Sequence, residues 1–134
     1  MKLRLIGNFE RYDLSRKPNR QKWYALIATW LISFPKTIMH RARIRKFNMK
    51  NGIKPPYFLL CNHNSFLDFK VMTKAIFPYR ANYVIALNGY LGIEWANHRL
   101  GGICTRQFSR DVSLVKNLLY VRKYNDVVVL FPEA

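Results

Sequence analysis

The chain is poor in acid. It has 7 Asp plus Glu against 23 Lys plus Arg in 134 residues, a formal net charge of +16 and a pI near 10.3. So large an excess implies an anionic partner, whether nucleic acid, an anionic membrane surface or a phosphorylated small molecule, without choosing among them. Cysteine is scarce as well. Cys61 and Cys104 stand alone in apolar surroundings with no Cys-x-x-Cys spacing, which argues against a disulfide scaffold or a zinc site and for two reduced, buried thiols in a cytosol-facing protein. No internal repeat or low-complexity segment is present. Residues 1–6 are short and charged, and no small-residue cleavage site follows an apolar core, so no signal peptide is expected. Nor is there an uninterrupted apolar run of the roughly 20 residues that a spanning helix needs.

What is present is half apolar. Hydrophobic residues make up 50% and aromatics 15%, which excludes disorder as a description of the whole chain, and the length suits one domain. The charge is uneven. Residues 1–54 hold 14 basic and 2 acidic side chains, a net of +12, whereas residues 55–134 hold 9 and 5, a net of +4. In the first segment Arg16, Lys17, Arg20 and Lys22 precede the uncharged run Trp23 to Phe34, and Arg41, Arg43, Arg45 and Lys46 follow it. The run breaks at Pro35 and resumes at Thr37-Ile38-Met39. Trp23, Tyr24 and Trp30 favour the headgroup region of a bilayer. A short aromatic helix bracketed by basic residues predicts an interfacial or re-entrant membrane anchor over 1–54, with an ordinary core helix as the alternative.

From Pro55-Pro56 onward the pattern changes. Strands are predicted at Tyr57 to Cys61, Asn82 to Leu87, Ile103 to Thr105 and Val127 to Phe131. Helices are predicted at Phe69 to Phe77, Tyr90 to Leu100 (stopped by Gly101-Gly102) and Asp111 to Tyr124, the last with Asp111 or Ser109 as N-cap. Continuous apolar strands alternating with helices predict an α/β domain over 55–134, with a mostly parallel sheet buried on both faces. Ligands in such sheets bind beyond the carboxyl ends of the strands.

Those ends carry the polar candidates. After the first strand comes Asn62-His63-Asn64-Ser65-Phe66-Leu67-Asp68. On one helix, residues five apart are rotated by about 500°, so His63 and Asp68 would not meet. At a strand-to-helix junction the carboxylate can reach the imidazole, fix its tautomer and stabilise the imidazolium, leaving the other nitrogen as a general base for a hydroxyl. A loop histidine bonded locally is the alternative. Arg106 follows Gly101-Gly102-Ile103-Cys104-Thr105 and suits bidentate phosphate binding as well as it suits a solvated surface position. Glu133 follows the last strand in Phe131-Pro132-Glu133-Ala134.

Taken together and in order, NHNSFLD, GGICTR and FPE resemble the lysophospholipid and glycerolphosphate acyltransferase family over about Tyr57 to Ala134. Ala134 stands where that family has Gly, and Arg110 competes with Arg106 for the second block. The resemblance implies that His63 is the base that deprotonates the acceptor hydroxyl and Asp68 its partner. It implies that Arg106 and Glu133 bind the acceptor's phosphate, with Asn62, Ser65, Gly102 and Arg110 as supporting candidates. The implied reaction moves an acyl group from a thioester, of coenzyme A or acyl carrier protein, to a glycerophosphate or lysophospholipid hydroxyl. It needs no metal and no bound cofactor. A basic membrane anchor ahead of the domain is typical of the family, which places the protein at the cytoplasmic face of the cell membrane, peripheral or monotopic. The family's domains continue past the third block, so the chain is expected to be the first portion of a larger domain. Two other classes compete. One is a membrane-surface protein that keeps the anchor but not turnover. The other is a basic nucleic-acid binding module, although no RNP-like, zinc-finger or helix-turn-helix signature appears and no nucleic-acid partner is expected.

Overall fold

A computed structural model describes residues 12–41, 43–47, 52–62, 67–106 and 110–132. The described elements are α1 (Trp23–Met39), β1 (Tyr57–Leu60), α2 (Leu67–Ile76), β2 (Ala81–Ala86), the short α3 (Leu87–Tyr90) and α4 (Glu94–Arg99), β3 (Gly102–Thr105), α5 (Val112–Val121) and β4 (Val127–Leu130). The four strands form one sheet in the order β1-β4-β2-β3, parallel at every pairing. The predicted α/β class and parallel sheet are therefore what the chain adopts.

Alternation along β4 divides the core. Val127 and Val129, both fully buried, join Ala81, Tyr83 and Ile76 under α2, where the Phe69 and Tyr83 rings lie 4.5 Å apart and the Tyr83 hydroxyl is 3.1 Å from Thr73 Oγ1. Val128 turns to the other face and packs with Ile103 and Val121 beneath α5. Burial on both faces is what a continuous apolar strand requires. β1 departs from that expectation. It sits at the sheet edge, and Phe58 and Leu60, in register with Val128 and Leu130, are 60% and 65% exposed. Its apolar run is continuous, yet only Tyr57 and Leu59 pack on the core, because α5 does not reach across to cover the other face.

Two further expectations are corrected. The break that Pro35 makes in the apolar run does not interrupt the helix: α1 runs through Pro35 to Met39. Proline removes one backbone donor, and packing of α1 along α2 holds the helix together past that gap. The predicted helix from Tyr90 to Leu100 is instead two short ones. Gly92, at φ +93°, takes a backbone conformation that other residues rarely adopt and separates them.

α1 is also inside out. Ala25, Thr29, Ser33 and Thr37, four residues apart, lie along its packed side. The three hydroxyls donate to carbonyls of their own helix, at Ala25, Thr29 and Ser33, so Thr29 sits half-buried and Ser33 and Thr37 buried with their donors satisfied inside the helix. Lys74 of α2 reaches Thr37 Oγ1 at 3.3 Å, and the Trp30 and Phe77 rings meet at 5.2 Å. The outer side carries Trp23, Tyr24, Ile27, Leu31, Phe34 and Ile38, all exposed.

Residues 12–22 bind the start of α1 to the amino-terminal edge of the sheet. Gln21 Oε1 accepts from the Ala81 amide at 2.9 Å, Asn82 Nδ2 donates to the carbonyls of Asn19 and Gly101 at 2.9 Å, and Arg20 forms a two-pronged ion pair with Asp126 at 2.8 and 3.0 Å. Gly102 belongs to this edge. A methyl group there would lie 2.8 Å from the Asn97 carbonyl and 3.0 Å from the Tyr90 ring, whereas one at Gly89 would meet nothing closer than 3.6 Å. Gly102→Ala is expected to cost about 1–3 kcal/mol of stability and Gly89→Ala next to nothing, measurable as paired thermal melts.

Candidate active site

The register locates the site. Leu59, Val129, Tyr83 and Gly102 form a single row across the whole sheet. Three residues further along each strand come Asn62, Pro132, Ala86 and Thr105, so the three sequence blocks leave the sheet at the same carboxyl edge. Neighbouring strands lie about 4.8 Å apart, which puts β1 beside β4 and about 14 Å from β3. His63, Ser65 and Glu133 lie outside the described residues. Within them are Asn62, Asp68, Gly102, Arg106 and Arg110.

Cys61 continues the ladder past β1, its amide donating to the Leu130 carbonyl at 3.0 Å, and Asn62 follows, exposed. Asp68 lies in the first turn of α2, half-buried. A carboxylate there opposes the positive end of the helix dipole favourably. Burial pushes the Cys61 thiol up, and the negative charge of Asp68 adds to that shift, which places the carboxylate within electrostatic reach of the end of β1. Cys61 Sγ also sits 3.2 Å from Met72 Sδ.

At the far strand, Arg106 is the first residue past β3 and is exposed. Its amide donates to Asp111 Oδ2 at 3.4 Å, and Thr105 Oγ1 donates to the same oxygen at 3.2 Å. The other oxygen, Oδ1, accepts from the Leu114 amide at 3.2 Å, which makes Asp111, one of the two caps that the sequence offers, the N-cap of α5. Its second set of bonds is not legible from spacing, because any capping residue satisfies the same pattern. Arg110, also exposed, immediately precedes this cap. Gly102 lies at the opposite end of β3 from Arg106, where its role is close packing.

Among the described residues, no group of three or more His, Cys, Asp or Glu side chains stands close enough to hold a metal ion. An apolar groove of about 510 Å³ lies away from the carboxyl edge, between β1 and α5, lined by Tyr57, Phe58, Val115, Leu118, Leu119 and Val128.

Cys104, on β3, is pushed up to about 12, first by burial and then by the charge of Asp111, with Arg106 opposing. A thiol so raised holds on the order of a thousand-fold less thiolate at pH 8 than one at the ordinary value near 9. Because the folded state disfavours the thiolate, this burial contributes its full stability below about pH 9 and loses it as pH rises toward 12. Alkylation of native protein at pH 8 is expected to be at least tenfold slower at Cys104 than in urea-unfolded protein, read by mass spectrometry. Equal rates would contradict the burial. Comparison with protein-family models, with curated proteins and with solved structures finds no match for this chain.

Proposed function

We propose that the chain is an acyltransferase of the glycerolipid type, working at the cytoplasmic face of a membrane. The observation that carries the reading is the common edge. Three blocks far apart in sequence, bearing His63 and Asp68, Arg106, and Glu133, each follow a strand, and those strands end together. His63 takes the proton of the acceptor hydroxyl. The oxygen attacks the thioester carbonyl, a C–O bond forms as the C–S bond breaks, and the departing thiolate recovers the proton from His63. Asp68 holds the imidazole in the tautomer this requires. Arg106 grips the acceptor's phosphate with Glu133 contributing from the strand between, and the roughly 14 Å from β1 to β3 leaves room for a glycerol phosphate and an extended arginine. The donor is an acyl thioester of coenzyme A or of acyl carrier protein.

The outward face of α1 supports the membrane half of the proposal. An apolar surface flanked by Lys22, Arg41, Arg43, Arg45 and Lys46 fits an anionic bilayer, each basic residue near the surface contributing about 1 kcal/mol. Among the described residues no helix is long and apolar enough to cross a membrane, so the contact proposed is peripheral or monotopic. The same face favours a second reading, a membrane-surface protein without turnover.

The deciding assay is acceptor-dependent thiol release from palmitoyl-coenzyme A and from an acyl carrier protein thioester. Glycerol 3-phosphate and lysophosphatidic acid serve as acceptors. Release that falls by about 10²-fold or more in His63→Ala is the expected result. Full activity in that variant contradicts the mechanism, and vesicle binding with no release leaves the second reading. In flotation with vesicles of 30% phosphatidylglycerol, the chain is expected to float and a Leu31→Asn, Ile38→Asn double variant to float at least tenfold less, since each side chain removes about 2 kcal/mol of apolar burial. Equal flotation would remove α1 from the membrane contact.

A further inference from the structure

We infer that Asp111 is a positioning residue for the acceptor's phosphate, locking Arg106 at the end of β3 by bridging that strand to the start of α5. The inference rests on the proposed role of Arg106 as the phosphate-gripping side chain.

The carboxylate does more than a cap requires. Ser, Thr and Asn cap a helix about as well as Asp, using one acceptor oxygen. Asp111 uses one oxygen for that purpose, on the Leu114 amide, and turns the other to the strand, where it accepts from both the Thr105 hydroxyl and the Arg106 amide. Among neutral capping side chains none offers two separate acceptor oxygens, so the bridge is specific to a carboxylate. Its effect falls on one backbone unit. With the Thr105 side chain and the Arg106 amide tied to a group that is itself fixed to α5, the peptide plane that leads into Arg106 is held in one orientation. An arginine is a lever of about 7 Å, and a swing of 10–20° at its base moves the guanidinium by roughly 1–2 Å. An error of that size is enough to spoil a bidentate contact.

The same geometry removes the helix start as the group that answers the ligand's charge. A vacant helix start attracts anions, but that of α5 is occupied by the carboxylate of Asp111. A phosphate approaching the end of β3 is therefore drawn to the guanidinium of Arg106. The opposite pulls of Arg106 and Asp111 on the Cys104 thiol place both within one electrostatic neighbourhood.

The test uses sn-glycerol 3-phosphate as the probe, titrated into the full chain and followed by calorimetry, with glycerol as the uncharged control. Asp111→Asn and Asp111→Ser keep a capping oxygen and lose the second one. Thr105→Val removes the hydroxyl from the strand side of the bridge, keeps the Arg106 amide bond and leaves the cap untouched. The expected result is that wild type binds the phosphate and not glycerol, and that Arg106→Ala abolishes binding. The two Asp111 variants and Thr105→Val should weaken binding at least threefold while melting within a few degrees of wild type. Wild-type affinity in Asp111→Asn with binding lost in Arg106→Ala overturns the positioning role and leaves the phosphate role of Arg106 intact. No binding by wild type, or unchanged binding in Arg106→Ala, overturns both. If the Asp111 variants fail to fold, Thr105→Val decides: unchanged affinity there refutes the bridge.

Discussion

Parallel pairing is the constraint on which the rest of the molecule depends. A parallel neighbour cannot be reached by a tight turn, so every strand must be followed by a crossover, and every strand must finish at the same edge. Here crossovers join β1 to β2, β2 to β3 and β3 to β4, all four strands finish at one edge, and insertion of β4 between β1 and β2 brings the last sequence block beside the first. The amino-terminal edge is given over to holding the fold together. Residues 12–22 meet it with amide side chains, an ion pair and backbone bonds, and Gly101 and Gly102 allow chain segments to touch there. The carboxyl edge keeps the exposed polar residues Asn62 and Arg106. Stability and the proposed chemistry thus occupy opposite ends of the same strands.

Much of this is legible in the residues. VVVLF reads as a buried strand because every side chain is apolar, and it proves to lie inside the sheet. Asp111 reads as an N-cap because an apolar helical period starts just after it. Other features are tertiary and leave no local trace. YFLL has the same apolar continuity as VVVL but sits at the edge, and edge position depends on strand order, which no pattern within four residues records. Pro35 reads as a helix end on backbone grounds, yet the helix is carried through it by contact with α2. Gly92 stands inside a helical pattern, and only its positive φ shows that it divides the pattern in two. The second oxygen of Asp111 is invisible for a similar reason, since its partners lie on β3 rather than on the helix it caps.

The charge that marks the composition also finds a physical place. Its larger part brackets a helix whose small, hydroxyl-bearing residues face the protein together with Leu26 and Trp30, and whose other large apolar residues face outward. Burying small residues lets two helices approach closely, and hydroxyls bonded to their own carbonyls cost little when buried. The result is an apolar surface ringed by cations and fastened to the sheet through residues 12–22. In the proposed membrane role an anionic bilayer would meet both features at once, whereas a nucleic acid would meet only the charge.

The central claim is that the three blocks share one edge in the order β1-β4-β2-β3. Nitroxide pairs in a background with Cys61 and Cys104 replaced by alanine test it, with labels at Asn62 and Pro132 in one protein and at Asn62 and Arg106 in another. Strong dipolar broadening for the first pair, from adjacent strands about 5 Å apart, and clearly weaker broadening for the second, across about 14 Å, is the expected result. Equal broadening in the two proteins, or none in the first, would contradict the shared edge and with it the proposed site.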